Sequence, residues 1–284
     1  MGPGRDIRVY GVGLVVGQVI SAATTPLFTR QLGPSEFGSL ELLTVMATLL
    51  GTCALAGTDL AAIRLYYEVD DDDERRSVIS TGLYTVIALG LASFGVAALL
   101  APLLADLVAP GGDGTRTIIV GGAWVAVSTV ATYSIEILRV QQRGWAFLVS
   151  GLLRSALGGA VAVILVLTLR DGVTAVYLGL LVGAAIATVF NLVAGRRLIA
   201  RTGSRTIARR MLTYGLPLVP TGLAGWSMML VDRLVVAADG SVAEVGHYAV
   251  ANRIAALMLL AVYGFRAGWS TWSLAEHRRD PRSE

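Results

Sequence analysis

Eight runs of about 20 or more mostly apolar residues, separated by short polar or Gly/Pro connections, dominate this sequence. They fall at roughly 9–29, 39–63, 78–101, 117–138, 147–169, 173–195, 212–237 and 245–270. A helix of that length crosses the roughly 30 Å hydrocarbon core of a bilayer. Inside lipid, every backbone donor and acceptor has to be satisfied within the protein, and a helix does this within one segment. The composition agrees: 55% of the 284 residues are hydrophobic, 15% are charged and the mean hydropathy is +0.67. Soluble domains carry about 25% charged residues, and a soluble core of this chain length could not hide so much apolar surface. The expected fold class is an all-α polytopic membrane protein with about eight transmembrane helices.

The connections carry the topology. If the N-terminus is cytoplasmic, alternate segments on that side hold 16 arginines, among them Arg64, Arg139, Arg143 and the cluster from Arg196 to Arg210; the other side holds 3, namely Arg30, Arg116 and Arg170. This asymmetry is the positive-inside pattern, and an even number of spans returns the basic C-terminal tail to the same side. Arg5 and Arg8 before the first apolar run imitate a signal peptide, but Ser21-Ala22-Ala23 is a poor cleavage site and further spans follow, so a retained first span is expected. All 23 basic residues are Arg, and the net charge of +3 is too small and scattered for a nucleic-acid reader. Cys53 is the single cysteine, so no intrachain disulfide can form.

The segment Arg196–Arg210 is the longest and most basic connection and divides the chain. A pattern of Tyr10-Gly11, one apolar span and Glu36-Phe37-Gly38 is echoed by Tyr214-Gly215, one span and Glu244-Val245-Gly246. Transporters are commonly built from repeated bundles with the substrate path between them. The expected organisation is a six-helix lobe over 1–210, ending in the cytoplasmic connector 196–210, followed by 211–284 as two helices of a second lobe and a cytoplasmic tail. On this reading the second lobe is incomplete.

Several of these segments carry a resemblance. Arg30-Gln31-Leu32-Gly33-Pro34-Ser35-Glu36-Phe37-Gly38 resembles the first outer loop of polysaccharide and O-antigen flippases of the multidrug/oligosaccharidyl-lipid/polysaccharide exporter superfamily. Arg64-Leu65-Tyr66-Tyr67-Glu68 with the acidic run after it, and Arg139-Val140-Gln141-Gln142-Arg143, are similar to that family's connections after helices two and four. Tyr214-Gly215-Leu216-Pro217-Leu218-Val219-Pro220, Asp232-Arg233 and Val245-Gly246-His247-Tyr248 resemble the opening of its second lobe. The resemblance implies about twelve or more helices in two six-helix lobes. It also implies flipping of a polyprenyl-diphosphate-linked oligosaccharide in cell-surface polysaccharide or lipopolysaccharide biosynthesis, in a bacterial plasma membrane. The implied partners are the lipid-linked substrate, membrane lipids and a glycan polymerase or other assembly proteins, with no nucleic acid, no cofactor and no metal. The alternatives are a drug or small-molecule exporter of the same superfamily, and a non-transporting remnant or assembly partner.

The chemistry of such a substrate selects candidates. Sugar hydroxyls and phosphates stripped of water in hydrocarbon cost several kcal/mol each, so a hydrated groove with cations is needed. Arginine suits the diphosphate because its planar fork matches phosphate oxygens in pairs. The groove candidates are Asp59, Arg64, Arg139, Asp232, Arg233, Asn252 and Arg253. For Asp59, read as lying well inside helix two, a structural hydrogen bond and a cavity role stand level. Arg154 and Arg266 read instead as long stems lifting their heads to the interface. Pro217 and Pro220 are hinge candidates, with placement in a helix first turn as the competing reading. The tryptophans read as interfacial anchors, with Trp226 the exception inside a span. Asp70-Asp71-Asp72-Asp73-Glu74 resembles a magnesium-binding run, but five consecutive acids lack the spacing for one helix face and read as a solvated loop. No phosphate-cradling glycine loop and no catalytic constellation is evident, so an enzyme is not expected.

Overall fold

The computed structural model describes the backbone of residues 3–108, 113–169, 171–239, 244–252 and 255. Within these ranges, side chains are described for Thr24 and from Pro26 onward, apart from 107, 108, 226, 228–230, 232–234 and 237–239. The described residues form nine α-helices: α1 Pro3–Leu55, α2 Thr58–Glu68, α3 Asp72–Val108, α4 Gly114–Val140, α5 Gly144–Leu152, α6 Gly158–Leu169, α7 Gly172–Gly195, α8 Arg205–Gly215 and α9 Val219–Asp239. Residues 244–252 are also helical. Five stretches are long and apolar enough to span a bilayer: Pro26–Glu68, Asp72–Asp106, Gly114–Val140, Gly144–Leu169 and Gly172–Leu198. The protein is an all-α polytopic membrane protein. These stretches contain the apolar runs expected at 39–63, 78–101, 117–138, 147–169 and 173–195. The run at 9–29 lies in α1, the run at 212–237 continues from α8 into α9, and most of the run at 245–270 lies outside the described residues.

Three features of the helices bear on function. At the expected Gly33 connection the chain does break: Gly33 leaves helical geometry (φ 71°, ψ 171°), a conformation open to glycine, so α1 is two helices meeting at a kink. The second run, expected as one helix, breaks at Ala56-Gly57, where both residues adopt positive φ (48° and 64°). Asp59 therefore does not lie deep in a continuous helix; it sits in the first turn of α2. Third, the connector 196–210 is ordered. Residues Arg196–Leu198 form a 3-10 turn. Beyond them, the amide of Ala200 donates to Ser80 Oγ (2.6 Å), that of Ser204 to Thr81 Oγ1 (2.9 Å), and Tyr84 donates to the carbonyl of Ala200 (3.0 Å), pinning the segment to α3. Helix α8 then starts at Arg205, earlier than hydropathy places it. Ser204 Oγ caps the amide of Ile207, and Ile207 and Met211 turn one apolar face inward.

The acidic run is a helix start. Asp71 accepts from the amides of Asp73 and Glu74 at 3.1 and 3.0 Å, and Asp72 and Asp73 pair with Arg75 and Arg76 at 3.6 and 3.4 Å. Acids in a first turn complement the helix dipole.

The bundle is held by two apolar clusters at its opposite ends. One joins Phe28, Phe37, Leu40, Leu43, Ile118 and Tyr177; the other joins Ala61, Leu65, Ile79, Tyr133, Ile137 and Met211. Interhelical hydroxyl bonds reinforce them: Thr44 with Tyr177 (2.9 Å), Thr117 with Thr174 (2.8 Å) and Tyr133 to the carbonyl of Ile79 (2.8 Å). Val245, Gly246 and Ala249 are buried, with Gly246 against the carbonyl of Pro34. Outward-facing apolar side chains such as Leu99 (76% exposed) and Leu103 (77%) present the surface that lipid covers.

Helices α6 and α7 approach through small residues four apart, Gly158 and Ala162 against Gly179 and Gly183, the packing by which membrane helices gain van der Waals contact. A Cβ on residue 183 would meet the backbone oxygen of Arg154 and the backbone nitrogen of Gly158, both at 2.8 Å. Gly183→Ala is expected to cost about 1–3 kcal/mol through overpacking. A lowered melting temperature in detergent checks it, and an unchanged one contradicts the close approach.

Candidate functional site

Between the two apolar clusters the bundle turns polar. The cluster members Leu43 and Ile118 lie on one side of this zone along α1 and α4, and Ala61 and Tyr133 lie on the other. In the interval a cavity of about 250 Å³ is lined by Thr48, Thr52, Trp124, Ser128, Thr129, Thr132 and Arg154, among others. Three of its hydroxyls are satisfied locally by their own helices: Thr48 donates to the carbonyl of Thr44 (2.7 Å), Thr52 to that of Thr48 (2.8 Å) and Thr129 to that of Val125 (2.8 Å). Each oxygen keeps acceptor capacity. Ser128 Oγ is buried and has no hydrogen-bond partner among the described residues.

Arg154 is the cation of this cavity. It lies ten residues into the Gly144–Leu169 stretch, about 15 Å along a helix and so near the middle of a hydrocarbon core of roughly 30 Å. The sequence reading gave Arg154 to the interface; the structure turns it inward, where Nη1 donates to Thr132 Oγ1 of α4 at 3.0 Å. No carboxylate among the described residues forms an ion pair with it. The local cause is a π-helical segment, Leu153–Leu157, between α5 and α6. Such a segment inserts extra backbone into the helix and re-aims its side chains, and it recurs at functional sites. Five N–H donors on a guanidinium with one protein partner among the described residues leave a positive, donor-rich wall. An ionisable residue at this depth is costly, about 2.5–3.5 kcal/mol on insertion scales, and points to function.

The expected groove residues fall elsewhere. Asp59, half-buried, lies within Coulombic reach of Arg139, and Glu136 lies within reach of both. Arg139 is itself paired with Glu136 at 2.9 Å. Arg64 sits on a cleft between α2 and α8, bonded to Glu68 at 2.7 Å and stacked 4.6 Å from the centre of the Tyr214 ring. Pro217 lies in the 3-10 turn Leu216–Leu218 that joins α8 to α9, and Pro220 is the second residue of α9, positions where a missing donor is tolerated. Asn252 is half-buried in the helical residues 244–252. The side chains of Asp232 and Arg233, on α9, lie outside the described residues, as do Arg253, Arg266 and the indole of Trp226. Sequence reasoning passed over Glu41, a carboxylate in α1 only 3% exposed, and the hydroxyl ladder around Arg154. Thr48 and Thr52 repeat at one helical turn and face Ser128 and Thr132 at the same spacing, a signal that was present.

The profile of the family described as polysaccharide biosynthesis protein matches residues 4–267. The chain belongs to that family. Solved structures add the fold. The outward-facing conformation of a multidrug resistance MATE family transporter of the MOP superfamily is similar over 93% of this chain and 62% of that one, with a TM-score of 0.70 and 18% identity. Its inward-facing conformation is similar over 89% and 61%, with a TM-score of 0.67 and 19% identity. A MOP superfamily transporter from Pyrococcus furiosus Vc1, described as having reversed polarity of its binding pocket, is similar over 93% and 62%, with a TM-score of 0.69 and 17% identity. At these identities the likeness concerns fold. The chain spans about three fifths of the length of these structures, 62%, 61% and 62% respectively. No match was found among curated proteins.

The chain is thus a polytopic membrane protein of that family, with a fold similar to that of these transporters. The cavity lies on the α1, α4 and α5–α6 faces of one helical bundle.

Proposed function

We propose that the chain takes part in moving a polyprenyl-diphosphate-linked oligosaccharide across a bacterial plasma membrane, with its arginine-rich end in the cytoplasm. The observation that carries this reading is Arg154: a permanent cation at mid-span with no carboxylate partner among the described residues, ringed by hydroxyls. A diphosphate gains charge-assisted bonds there, and the hydroxyls replace water around sugars. A second observation fits an amphipathic cargo. An apolar groove of about 350 Å³, lined by Leu43, Met46, Leu50, Cys53, Leu100 and Ile118 among others, shares Ala47 and Val125 with the polar cavity. A prenyl tail and its charged head would then lie on either side of one wall.

Multidrug export is the second reading, favoured by the multidrug resistance MATE transporters among the similar structures. Cationic drugs are poorly served by a cavity whose described charge is positive, since like charges repel in a low dielectric. The test is reconstitution of the full chain in liposomes carrying a fluorescent polyprenyl-diphosphate sugar in one leaflet. Its appearance in the other leaflet, measured with a membrane-impermeant quencher, is the expected result. Extrusion of a cationic dye with no lipid movement would move the assignment to drug export. Cysteine labelling in whole cells should find residues 196–210 shielded from impermeant reagents.

A further inference from the structure

A second basic site, separate from the Arg154 cavity, lies at the arginine-rich end of the bundle. Helices α2 and α8 run side by side in opposite senses: Glu68 meets Arg210 (3.7 Å) and Gly57 meets Gly215. Between them opens a cleft of about 480 Å³ lined by Arg64, Glu68, Thr206, Arg209, Arg210 and Tyr214, among others. Three arginines surround one carboxylate, so the cleft carries excess positive charge. Glu68 organises it: one oxygen takes Arg64 through Nε at 2.7 Å, leaving the Nη groups of Arg64 outside that bond, and the other oxygen faces Arg210. The Arg64 guanidinium also lies over the face of Tyr214, 4.6 Å from the ring centre. Arginines that only set topology need neither a cleft, nor an aromatic platform, nor a carboxylate holding two of them in register.

We propose that this cleft binds the phosphate group of a lipid headgroup. Glu68 ends the membrane-spanning stretch Pro26–Glu68, so the cleft opens where headgroups lie. A planar guanidinium engages two phosphate oxygens at once, and Thr206 adds a neutral donor. Phosphate oxygens are common to bilayer phospholipids, to a lipid diphosphate and to free phosphate, and these sources separate in one experiment. The site does not depend on which cargo the Arg154 cavity carries.

The full chain, purified in detergent, is mixed with phosphatidylglycerol, with undecaprenyl diphosphate or with soluble pyrophosphate, and retained ligand is counted by native mass spectrometry. Wild type should retain anionic lipid and release it in the variant Arg209→Gln with Arg210→Gln, with retention falling about tenfold or more. Both residues are exposed, so the variant should keep its melting temperature in phosphatidylcholine. Displacement by pyrophosphate supports recognition of phosphate itself; displacement by undecaprenyl diphosphate alone supports a loading site for a lipid diphosphate; resistance to both supports a bilayer phospholipid. Equal loss in Arg75→Gln with Arg76→Gln, from the same end of the bundle, would reduce the effect to general surface charge and overturn the proposal. Unchanged retention in the Arg209/Arg210 variant would overturn it as well.

Discussion

Arg154→Leu should stop most substrate movement while leaving the protein abundant and as stable as wild type. The two halves of that expectation have separate causes. A guanidinium near mid-bilayer costs about 2.5–3.5 kcal/mol on insertion scales, and leucine is favourable there by about half a kcal/mol. Against this gain stands the loss of the bond to Thr132, of the kind worth about 1.5–3 kcal/mol when one partner is charged. The two roughly offset, so melting temperature and membrane level should hold. Transport has no such offset. A phosphate-bearing cargo that loses one or two charge-assisted bonds of that size loses about 10–100-fold or more in rate. Arg154→Lys keeps the charge but not the planar fork, and should fall between the two. Thr132→Val is a milder control, because it removes the anchor and leaves the cation. Initial rates in proteoliposomes, normalised to reconstituted protein, provide the measurement. Wild-type rates in Arg154→Leu would take the cavity out of the transport path.

How much of this was legible in the sequence depended on which force fixed each feature. Burial in lipid is an area effect, so apolar runs such as 78–101 and 173–195 map directly onto α3 and α7, and the positions of Glu68, Arg139 and Gly172 at helix ends follow from the polar residues between runs. Features set by backbone geometry were hidden. Ala56-Gly57 sits in an unbroken apolar run, and a glycine there gives no hydropathy signal, so Asp59 was read too deep in its helix. Helix α8 was hidden for the opposite reason: its arginines outweigh Ile207 and Met211 in any hydropathy average, although Ser204 and the spacing of those two residues mark a capped amphipathic helix. Arg154 was visible as a charge inside a span. Its direction was not, because the π-helical turn that aims it, packed closely against Gly183 of α7, leaves no mark in hydropathy. Chemistry could be read residue by residue; convergence could not.

The contact between Gly57 and Gly215 should be among the most sterically intolerant points in the described structure, and Gly215→Val the variant that shows it. Gly57 holds φ at 64°, and a Cβ there would meet the backbone oxygen and Cα of Gly215 at 2.7 and 2.8 Å. From the other side, a Cβ on Gly215 would meet the carbonyl of Ala56 and, at 2.9 Å, the carbonyl carbon of Gly57. All these atoms are backbone, so no side chain can swing away. Overpacking costs about 1–3 kcal/mol where neighbours can adjust and more where they cannot. At Gly57 a left-handed residue with a Cβ adds about 1–2 kcal/mol. Gly57→Val and Gly215→Val should each lower the melting temperature in detergent. The double variant should lose much less than the sum, since the first substitution already parts α2 from α8. That non-additivity tests more than packing. The break after Leu55 and the 3-10 turn after Gly215 are two places where a helix has given up its regular hydrogen bonds, and they meet at this contact. If the contact is the pivot on which α8 and α9 move against α2, separating it should slow transport beyond the loss in folded protein. Additive stability losses, or full rates per folded molecule, would show that the two breaks are neighbours without being coupled.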